Sequence, residues 1–392
     1  MSQAPLAQSQ VALRVAVFHD NFAQMGGAER VAEALHRCFS QADLLTTLSI
    51  PERLTPYLQS QKPRTTWMQW LPAKTRLFRH YFPLYPLAVE GVNLKAYDLI
   101  VTSCFGYAKG VRRRRKDSVH VCYCHNPMRW VWRTADYIAR ERMGWLKRTL
   151  LLTLLKPLKM WEMRAARQPN LFIANSKVVA QRLKDAFGVE AEVISPPVET
   201  ARFHISEGPK DYYLVLSRLV PYKRIDLAVQ ACTKLNLPLY VIGDGPDRPR
   251  LEAMAGPSVK FLLRQSDEAV NEYMSGCKAL LFPGEEDFGI TPLEANATGR
   301  PVVAFHGGGA TETIVDGFNG VFFDQPTIAS ICSAIERLES MHWEPEAIRA
   351  HAEKYDIAVF QRRILAALRK ASPKLDSLPC PIPAVIVEGT GK

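Results

Sequence analysis

The residues best suited to chemistry lie between Phe282 and Ala297, in the stretch FPGEEDFGITPLEANA. An apolar run precedes it and a helical pattern opens inside it. A helix start offers free backbone N–H groups and the positive end of a dipole, which together favour an anion. Glu294 stands there as an acceptor for sugar hydroxyls, since a carboxylate beside a phosphate would repel it. Spacing alone also allows a structural role, in which Thr291 is the N-cap, Pro292 the first helical residue and Glu294 the partner in a capping box. Glu286, in the loop before the helix, can accept from hydroxyls in the same way. With Glu285 and Asp287 it also reads as a solvated acidic loop. Three adjacent acids converge poorly on a metal without a further ligand, so no metal site is expected.

Two cations complete the set. Arg218 and Lys223 follow the apolar run Tyr212–Ser217. An arginine fork and a lysine point charge at a strand end can clamp a diphosphate, or can simply be surface cations. Gly26 and Gly27 follow the first apolar run, where glycine permits close approach of backbone to a ligand. His125 follows another run in YCHNP, as either a structural or a catalytic histidine. Cys122, Cys124 and His125 have a spacing poor for zinc. Gly243-Asp244-Gly245 lacks the third glycine of a dinucleotide fingerprint, and no Walker A sequence is present.

The elements that must position these residues alternate. Leu13–Phe18, Tyr97–Ser103, Ser118–Cys124, Leu171–Ala174 and Glu190–Ile194 read as strands, with helices at Glu29–Phe39 and Lys177–Phe187. Breaks at Ser195-Pro196-Pro197 and Glu207-Gly208-Pro209 mark a linker. A second series follows: strands Tyr212–Ser217, Leu237–Ile242, Ser258–Leu262, Ala279–Phe282 and Pro301–Ala304, and helices Arg224–Leu235, Asp267–Ser275 and Pro292–Ala297. Alternation of this kind means parallel sheets covered on both faces. The fold class expected is α/β, two doubly wound Rossmann-like domains facing across a cleft, with ligands beyond the carboxyl ends of the strands. The domains expected are 1–200, 201–356, a helix at 357–371 and a flexible proline-rich tail at 372–392.

The chain has 392 residues, 47% apolar and 23% charged, which suits two globular domains and excludes disorder over most of its length. Its longest uncharged stretches run to about 13 residues, short of the roughly 18 that a spanning helix needs. The N-terminus carries no cation before an apolar run and does not read as a signal peptide. The eight scattered cysteines read as reduced thiols of the cytoplasm. The net charge of +11 is uneven: residues 1–200 hold 29 Lys and Arg against 15 Asp and Glu, a balance of +14, and the rest balance at −3. The basic half, with the run Arg112–Lys116, points to a polyanionic partner or to a solvated loop. Aromatics and cations mix in Trp67–Tyr85 and in Trp145–Trp161, a composition that suits a membrane interface. The second segment equally suits a buried helix.

With these residues in place, the chain resembles the family 4 retaining glycosyltransferases of the GT-B fold from about Arg14 to about Ala371. The likeness rests on EDFGITPLE after ALLFPGE, on Ser217-Arg218-Leu219 with Lys223, on Gly243-Asp244-Gly245-Pro246 and on the GGGATE of Gly307–Glu312, in that family's order and spacing. YCHNPMRWVW and GEEDFGI look like the WbaZ-type mannosyltransferase branch, which builds polysaccharide units on lipid carriers and commonly uses GDP-mannose. The resemblance implies that Arg218 and Lys223 hold the donor diphosphate and that Glu294 binds the ribose. Glu286 would contact the transferred sugar, with the amides of Phe288, Gly289 and Ile290 against sugar and phosphate. Gly26 and Gly27 would form a loop facing the phosphates, and His125 would sit by the donor sugar, so that His125 and Glu286 are the candidate catalytic residues. The base would lie near Phe261 to Leu263. Relatives often carry glycine where Leu263 stands, so its side chain alters the base pocket.

The resemblance further implies a metal-independent, retaining transfer with no cofactor beyond the nucleotide-sugar co-substrate. The acceptor would be a lipid-linked saccharide, handled by the basic half at an anionic membrane surface, with the enzyme peripheral to the inner face of the plasma membrane. A UDP-sugar donor is the alternative within the fold. A non-catalytic nucleotide-sugar sensor or a nucleic-acid binding protein is the alternative of another class. The nucleic-acid reading explains neither the acidic second half nor the ordered motifs, and no nucleic-acid partner is expected.

Overall fold

The computed structural model describes residues 13–39, 41–132, 134 and 145–378. The first twelve residues, which do not read as a signal peptide, and the end of the proline-rich tail, 379–392, lie outside the described residues. Among the described residues thirteen strands follow one another as β1 (Val15–His19), β2 (Asp43–Thr46), β3 (Arg64–Thr65), β4 (Leu99–Cys104), β5 (Val119–Cys124), β6 (Leu171–Ala174), β7 (Ala191–Val193), β8 (Tyr213–Leu216), β9 (Leu239–Ile242), β10 (Val259–Leu262), β11 (Leu280–Phe282), β12 (Val302–Phe305) and β13 (Gly320–Phe323). They form two sheets, ordered β3-β2-β1-β4-β5-β6-β7 and β10-β9-β8-β11-β12-β13. Every described pairing between these strands is parallel, among them Val17 with Leu44 on one side and Val101 on the other. The helices that matter below are α1 (Gly27–Arg37), α2 (Trp145–Ala165), α3 (Lys177–Phe187), α4 (Ile225–Lys234), α5 (Ile290–Ala297), α6 (Ile328–Glu339) and α7 (Ile357–Ala371).

The chain divides into two compact units. The first takes the residues up to Cys124, then Thr149–Ile173, then the stretch from Ile364. The second takes Ala174–Arg363 together with the stretch from His125 up to Arg148. The unit boundaries therefore fall at the end of β5, inside α2, inside β6 and inside α7.

In the second unit the sheet order is that of a doubly wound fold whose first strand, β8, has neighbours on both sides, and the order reverses between β8 and β11. Strands buried on both faces need apolar residues throughout, and Tyr213–Leu216, Leu239–Ile242 and Val302–Phe305 supply them. On one face Val215, Val241, Leu281, Val303 and Val321 pack against Leu227, Ala228, Ala231, Ile331 and Ile335 of α4 and α6. On the other, Leu214, Ile242, Leu280 and Ala304 pack with Phe288 and with Leu293 and Ala297 of α5. The crevice beyond the carboxyl ends of β8 and β11 is the place where such a sheet binds a ligand.

The first unit has a corresponding reversal between β1 and β4, and its own chain fills it. Asp20, one residue past β1 and fully buried, accepts from the backbone N–H groups of Phe105, Gly106, Tyr107 and Ala108, at 2.8 Å for Gly106 and 2.6 Å for Tyr107. The loop after β4 thus presents an anion nest whose anion is an internal carboxylate. Burial raises the pKa of Asp20, and Lys109 and the backbone N–H groups oppose that rise.

Trp70 is 87% exposed and Trp67 is 46% exposed, so the aromatic-basic segment does present rings to solvent. Among the described residues no helix is long and apolar enough to cross a membrane. The seven described cysteines are free and buried.

Candidate functional site

Most of the residues singled out by sequence lie in the second unit, on the loops that leave β8 and β11. Arg218 is exposed two residues after β8. Lys223 closes a 3-10 turn, Pro221–Lys223, just before α4. The loop from Pro283 to Gly289 leaves β11 and enters α5. Phe288 is buried and packs its ring against Tyr355, with centroids 6.2 Å apart. This anchors the loop to the core and leaves Glu286 and Asp287 half-buried beside it.

The start of α5 differs from the expectation. The helix begins at Ile290, not Pro292, and its N-cap is Gly289 in the left-handed region at φ +85°. Glu294 is consequently the fifth helical residue and not the third, so the capping box with Thr291 does not form. The turn signal of Gly289 outweighs the Thr-Pro pair because a left-handed residue ends the preceding loop at that point. Glu294 is half-buried on the second turn of the helix.

Lys223 Nζ and the Glu286 carboxylate are paired. Burial, with Arg218 and Arg129 adding repulsion, pushes the Lys223 ammonium down to about 7, and Asp287 pulls the other way. The Glu286 contact also favours the charged form. The pair brings the loop of β8 to the loop of β11. Two glycine turns fix the same loops from below. Gly243, at φ +140°, leaves no room for a side chain: a Cβ there would lie 1.9 Å from the Ser217 carbonyl oxygen. Gly308, at φ +61°, faces the Glu286 carbonyl, and the next residue, Gly309, donates its N–H to that oxygen at 2.9 Å. Glu312, from the same GGGATE stretch, accepts from Lys177 N–H at 3.0 Å and Val178 N–H at 3.3 Å, and so caps α3 together with Ser176. The motifs scattered through the sequence are parts of one framework.

His125 is buried, its main-chain oxygen accepting from Asn175 Nδ2 at 3.1 Å. Burial lowers its pKa to about 4, against a smaller opposing pull from Asp287. It is therefore neutral at pH 7, which suits a hydrogen-bonding or positioning role and not a standing cation. Leu263 is 60% exposed, just past β10, and its neighbour Leu262 accepts through its carbonyl from Gly243 N–H. Gly26 and Gly27 belong to the other unit, where Gly26 is the N-cap of α1 with extended backbone and Gly27 its first residue. Among the described residues no group of three or more His, Cys, Asp or Glu is placed to hold a metal ion.

Sequence reasoning passed over Asp287 and its partners. Asp287 Oδ2 accepts from Asn126 Nδ2 at 2.8 Å and from Arg129 Nε at 3.1 Å, and Oδ1 pairs with Arg182 of α3. Arg182 also reaches Glu285 at 3.5 Å. Arg129 lies over the Tyr222 ring, 5.5 Å from its centroid, and Lys223 lies at the same distance from that ring. The signal for this cluster was present as HNPMR and GEEDFGI, but nothing in linear spacing pairs them.

The comparisons with known proteins bear on most of the chain. The family description "Glycosyltransferase Family 4" matches residues 25–202, and "Glycosyl transferases group 1" matches residues 199–355. Among curated relatives, the GDP-mannose-dependent alpha-(1-6)-phosphatidylinositol monomannoside mannosyltransferase of Mycolicibacterium smegmatis is 30% identical over 192 residues, 41% of this chain and 50% of the relative. The alpha-1,3/1,6-mannosyltransferase ALG2 of Homo sapiens is 25% identical over 275 residues, 60% and 62% of the two chains. The chain spans about half to three fifths of the length of these relatives. Two solved structures share the fold. Anabaena Alr3699/HepE in complex with UDP-glucose has a TM-score of 0.65 at 18% identity, over 92% of this chain and all of that one. Sucrose-phosphate synthase from Thermosynechococcus elongatus has a TM-score of 0.70 at 16% identity, over 91% and 98%. The two family matches meet at the linker between the two sheets and together run from residue 25 to residue 355, so the chain belongs to the family 4 glycosyltransferases and has their GT-B fold.

Proposed function

We propose that the protein is a retaining glycosyltransferase that moves mannose from GDP-mannose to a lipid-linked saccharide in the assembly of a cell-surface polysaccharide. The observation that carries this reading is the convergence of Arg218, Lys223 and Glu286 at the reversal of the second sheet, with Glu294 on the helix that follows. Arg218 and Lys223 take the diphosphate, Glu294 the ribose hydroxyls and Glu286 the hydroxyls of the sugar.

As the nucleoside diphosphate leaves, negative charge builds on its β-phosphate. Lys223 and Arg218, with the amides of Phe288, Gly289 and Ile290 at the start of α5, stabilise that charge in fixed positions. Lys223 exchanges its Glu286 partner for the phosphate, which frees the carboxylate for the sugar. The acceptor hydroxyl attacks from the face the leaving group departs, and the leaving phosphate takes its proton. His125, neutral and buried, positions the sugar. The reaction requires no metal ion, and turnover in the presence of EDTA tests that.

Mannose and guanine are favoured by two relatives whose names are mannosyltransferases, one of them GDP-mannose-dependent. A UDP-sugar is the second reading. The Anabaena neighbour was solved with UDP and with UDP-glucose, and Leu263 places a side chain where the base pocket is expected. The +14 balance of the first half and the exposed Trp67 and Trp70 support docking on an anionic membrane at the inner face of the cell.

A thermal-shift panel of GDP, UDP, ADP and their sugar conjugates tests the donor. A ligand at about 100 times its Kd adds about 2.7 kcal/mol. Stabilisation by GDP and GDP-mannose alone supports the mannosyl reading, and stabilisation by UDP compounds replaces it with the second. A panel in which nothing binds overturns both. Flotation with anionic and neutral liposomes tests the membrane, where absence from both floating fractions defeats that part.

A further inference from the structure

Asp287 makes contacts that the donor site as described above does not use. Its carboxylate joins three segments of the second unit: Asn126 and Arg129 from the stretch after His125, and Arg182 from α3. The two oxygens divide the work, Oδ2 toward Asn126 and Arg129, Oδ1 toward Arg182. Charge-assisted bonds of this kind are short and directional, and an arginine fork fixes the plane of its partner. Asp287 is next in sequence to Glu286, and Asn126 is next in sequence to His125. A single carboxylate therefore ties the residue after one candidate sugar contact to the residue after the other.

We propose that Asp287 is a positioning residue, which registers the His125–Arg129 segment against the Glu286 loop so that His125 and Glu286 meet the same sugar. The inference rests on the glycosyltransferase reading but not on which nucleotide the donor carries. The geometry favours positioning over direct contact because three donors already occupy both oxygens of Asp287. Arg129 gains a second constraint from the Tyr222 ring, which Lys223 also approaches. The register thus extends from the sugar toward the diphosphate cations. Asp287→Asn keeps the size of the side chain but has one acceptor oxygen and no charge, so it can serve donors on one side only and turns N–H groups toward the other. It cannot hold two guanidinium groups.

The test uses the full chain and two measurements. The first is amide hydrogen exchange followed by mass spectrometry on the wild type, Asp287→Asn and Asp287→Glu. Exchange is expected to rise at residues 125–132 in Asp287→Asn and to stay unchanged in β11 and β12, with Asp287→Glu closer to wild type. The second is steady-state turnover with whichever donor the panel identifies. Here kcat is expected to fall about 10- to 100-fold with the donor KM moving less than about threefold, as for a misplaced reacting group. Unchanged exchange overturns the proposal whether or not a donor is known. Raised exchange with unchanged kcat also overturns it, because the contact then holds the scaffold only, and the donor reading survives. A wild-type protein that binds no nucleotide overturns the donor reading instead, and exchange still decides whether Asp287 sets the register.

Discussion

The backbone of Gly308 lies directly under the carbonyl oxygen of Glu286: a Cβ built on Gly308 would come within 2.2 Å of that oxygen. The φ of Gly308, +61°, is one that other residues adopt only with strain. The GGGATE turn is thereby a socket shaped to the EEDFGI loop. The GDGP turn is shaped to Ser217 in the same way, through Gly243. Two of the four second-half motifs exist to seat the other two.

That relationship predicts a contrast between two glycines of similar backbone conformation. Gly188, at the end of α3, has φ +68° and nothing within 4 Å of its Cβ position. Gly188→Ala should cost about 1–2 kcal/mol of stability, the left-handed strain alone, and leave kcat/KM unchanged. Gly308→Ala carries the same strain and must also push Glu286 aside. Its kcat/KM should fall about 100-fold, the order expected for a shift of about 1 Å at the reacting groups. Urea denaturation and donor-dependent turnover of both variants check this. Wild-type turnover in Gly308→Ala would show that the socket does not matter to the site.

The alternation of strands and helices was legible because fully buried parallel strands must be apolar throughout. Lys177–Phe187 emerges with both ends as read, and Ile225–Lys234 lies one residue inside the expected Arg224–Leu235 at each end. The strands missed were Asp43–Thr46, Arg64–Thr65 and Gly320–Phe323. The first and last are no shorter than Leu171–Ala174, which was read, but Asp43 and Gly320 open them and cut their apolar runs to Leu44–Leu45 and Val321–Phe323. Arg64–Thr65 is an exposed two-residue edge with no apolar signal at all. The site divides similarly. Glu286, Lys223 and Arg218 were visible because charged residues just after apolar runs stand out. Asp287 was not, since its meaning depends on Asn126, Arg129 and Arg182, and no local pattern joins residues so distant in sequence. The start of α5 was misjudged because Thr-Pro mimics a helix start that Gly289 makes two residues earlier.

Lys223 and Glu294 are predicted to fail differently. Lys223→Ala removes a charge that acts most strongly when the diphosphate departs. A hydrogen bond to a charged group contributes about 1.5–3 kcal/mol, so kcat/KM should fall about 10- to 100-fold with kcat carrying most of it. Glu294→Ala removes contacts with ribose hydroxyls that do not change during the reaction, so the donor KM should rise about tenfold with kcat nearly constant. Steady-state kinetics separates the two. Undiminished turnover in both would show that the donor lies elsewhere.

Acid should destabilise the protein through its buried histidines. His125 is depressed to about 4 and His120 to about 3, both chiefly by burial. In the unfolded chain a histidine titrates near 6.5. Between these values the unfolded state binds more protons than the folded one, so stability is full above about 6.5 and falls as pH drops toward 4 and below. His125→Gln should flatten the slope by about one proton between about pH 6.5 and 4. Urea midpoints at several pH values read it. An unchanged slope would mean that His125 already takes up its proton in the folded protein.

In the first unit, Lys109 and Glu162 form a fully buried ion pair, Nζ to Oε1 2.7 Å. Lys109 also donates to the Gly106 carbonyl, and Gly106 in turn donates its N–H to Asp20. The loop after β4 is therefore held through both sides of one residue. Removing a single partner strands a buried charge, which costs about 3–5 kcal/mol. Glu162→Ala should lower the urea midpoint accordingly, whereas the double change Lys109→Met with Glu162→Leu, which fills the same space without charge, should recover most of the loss. A double variant as unstable as Glu162→Ala would mean that the loop depends on the Lys109–Gly106 bond itself and not on neutralising a buried ammonium.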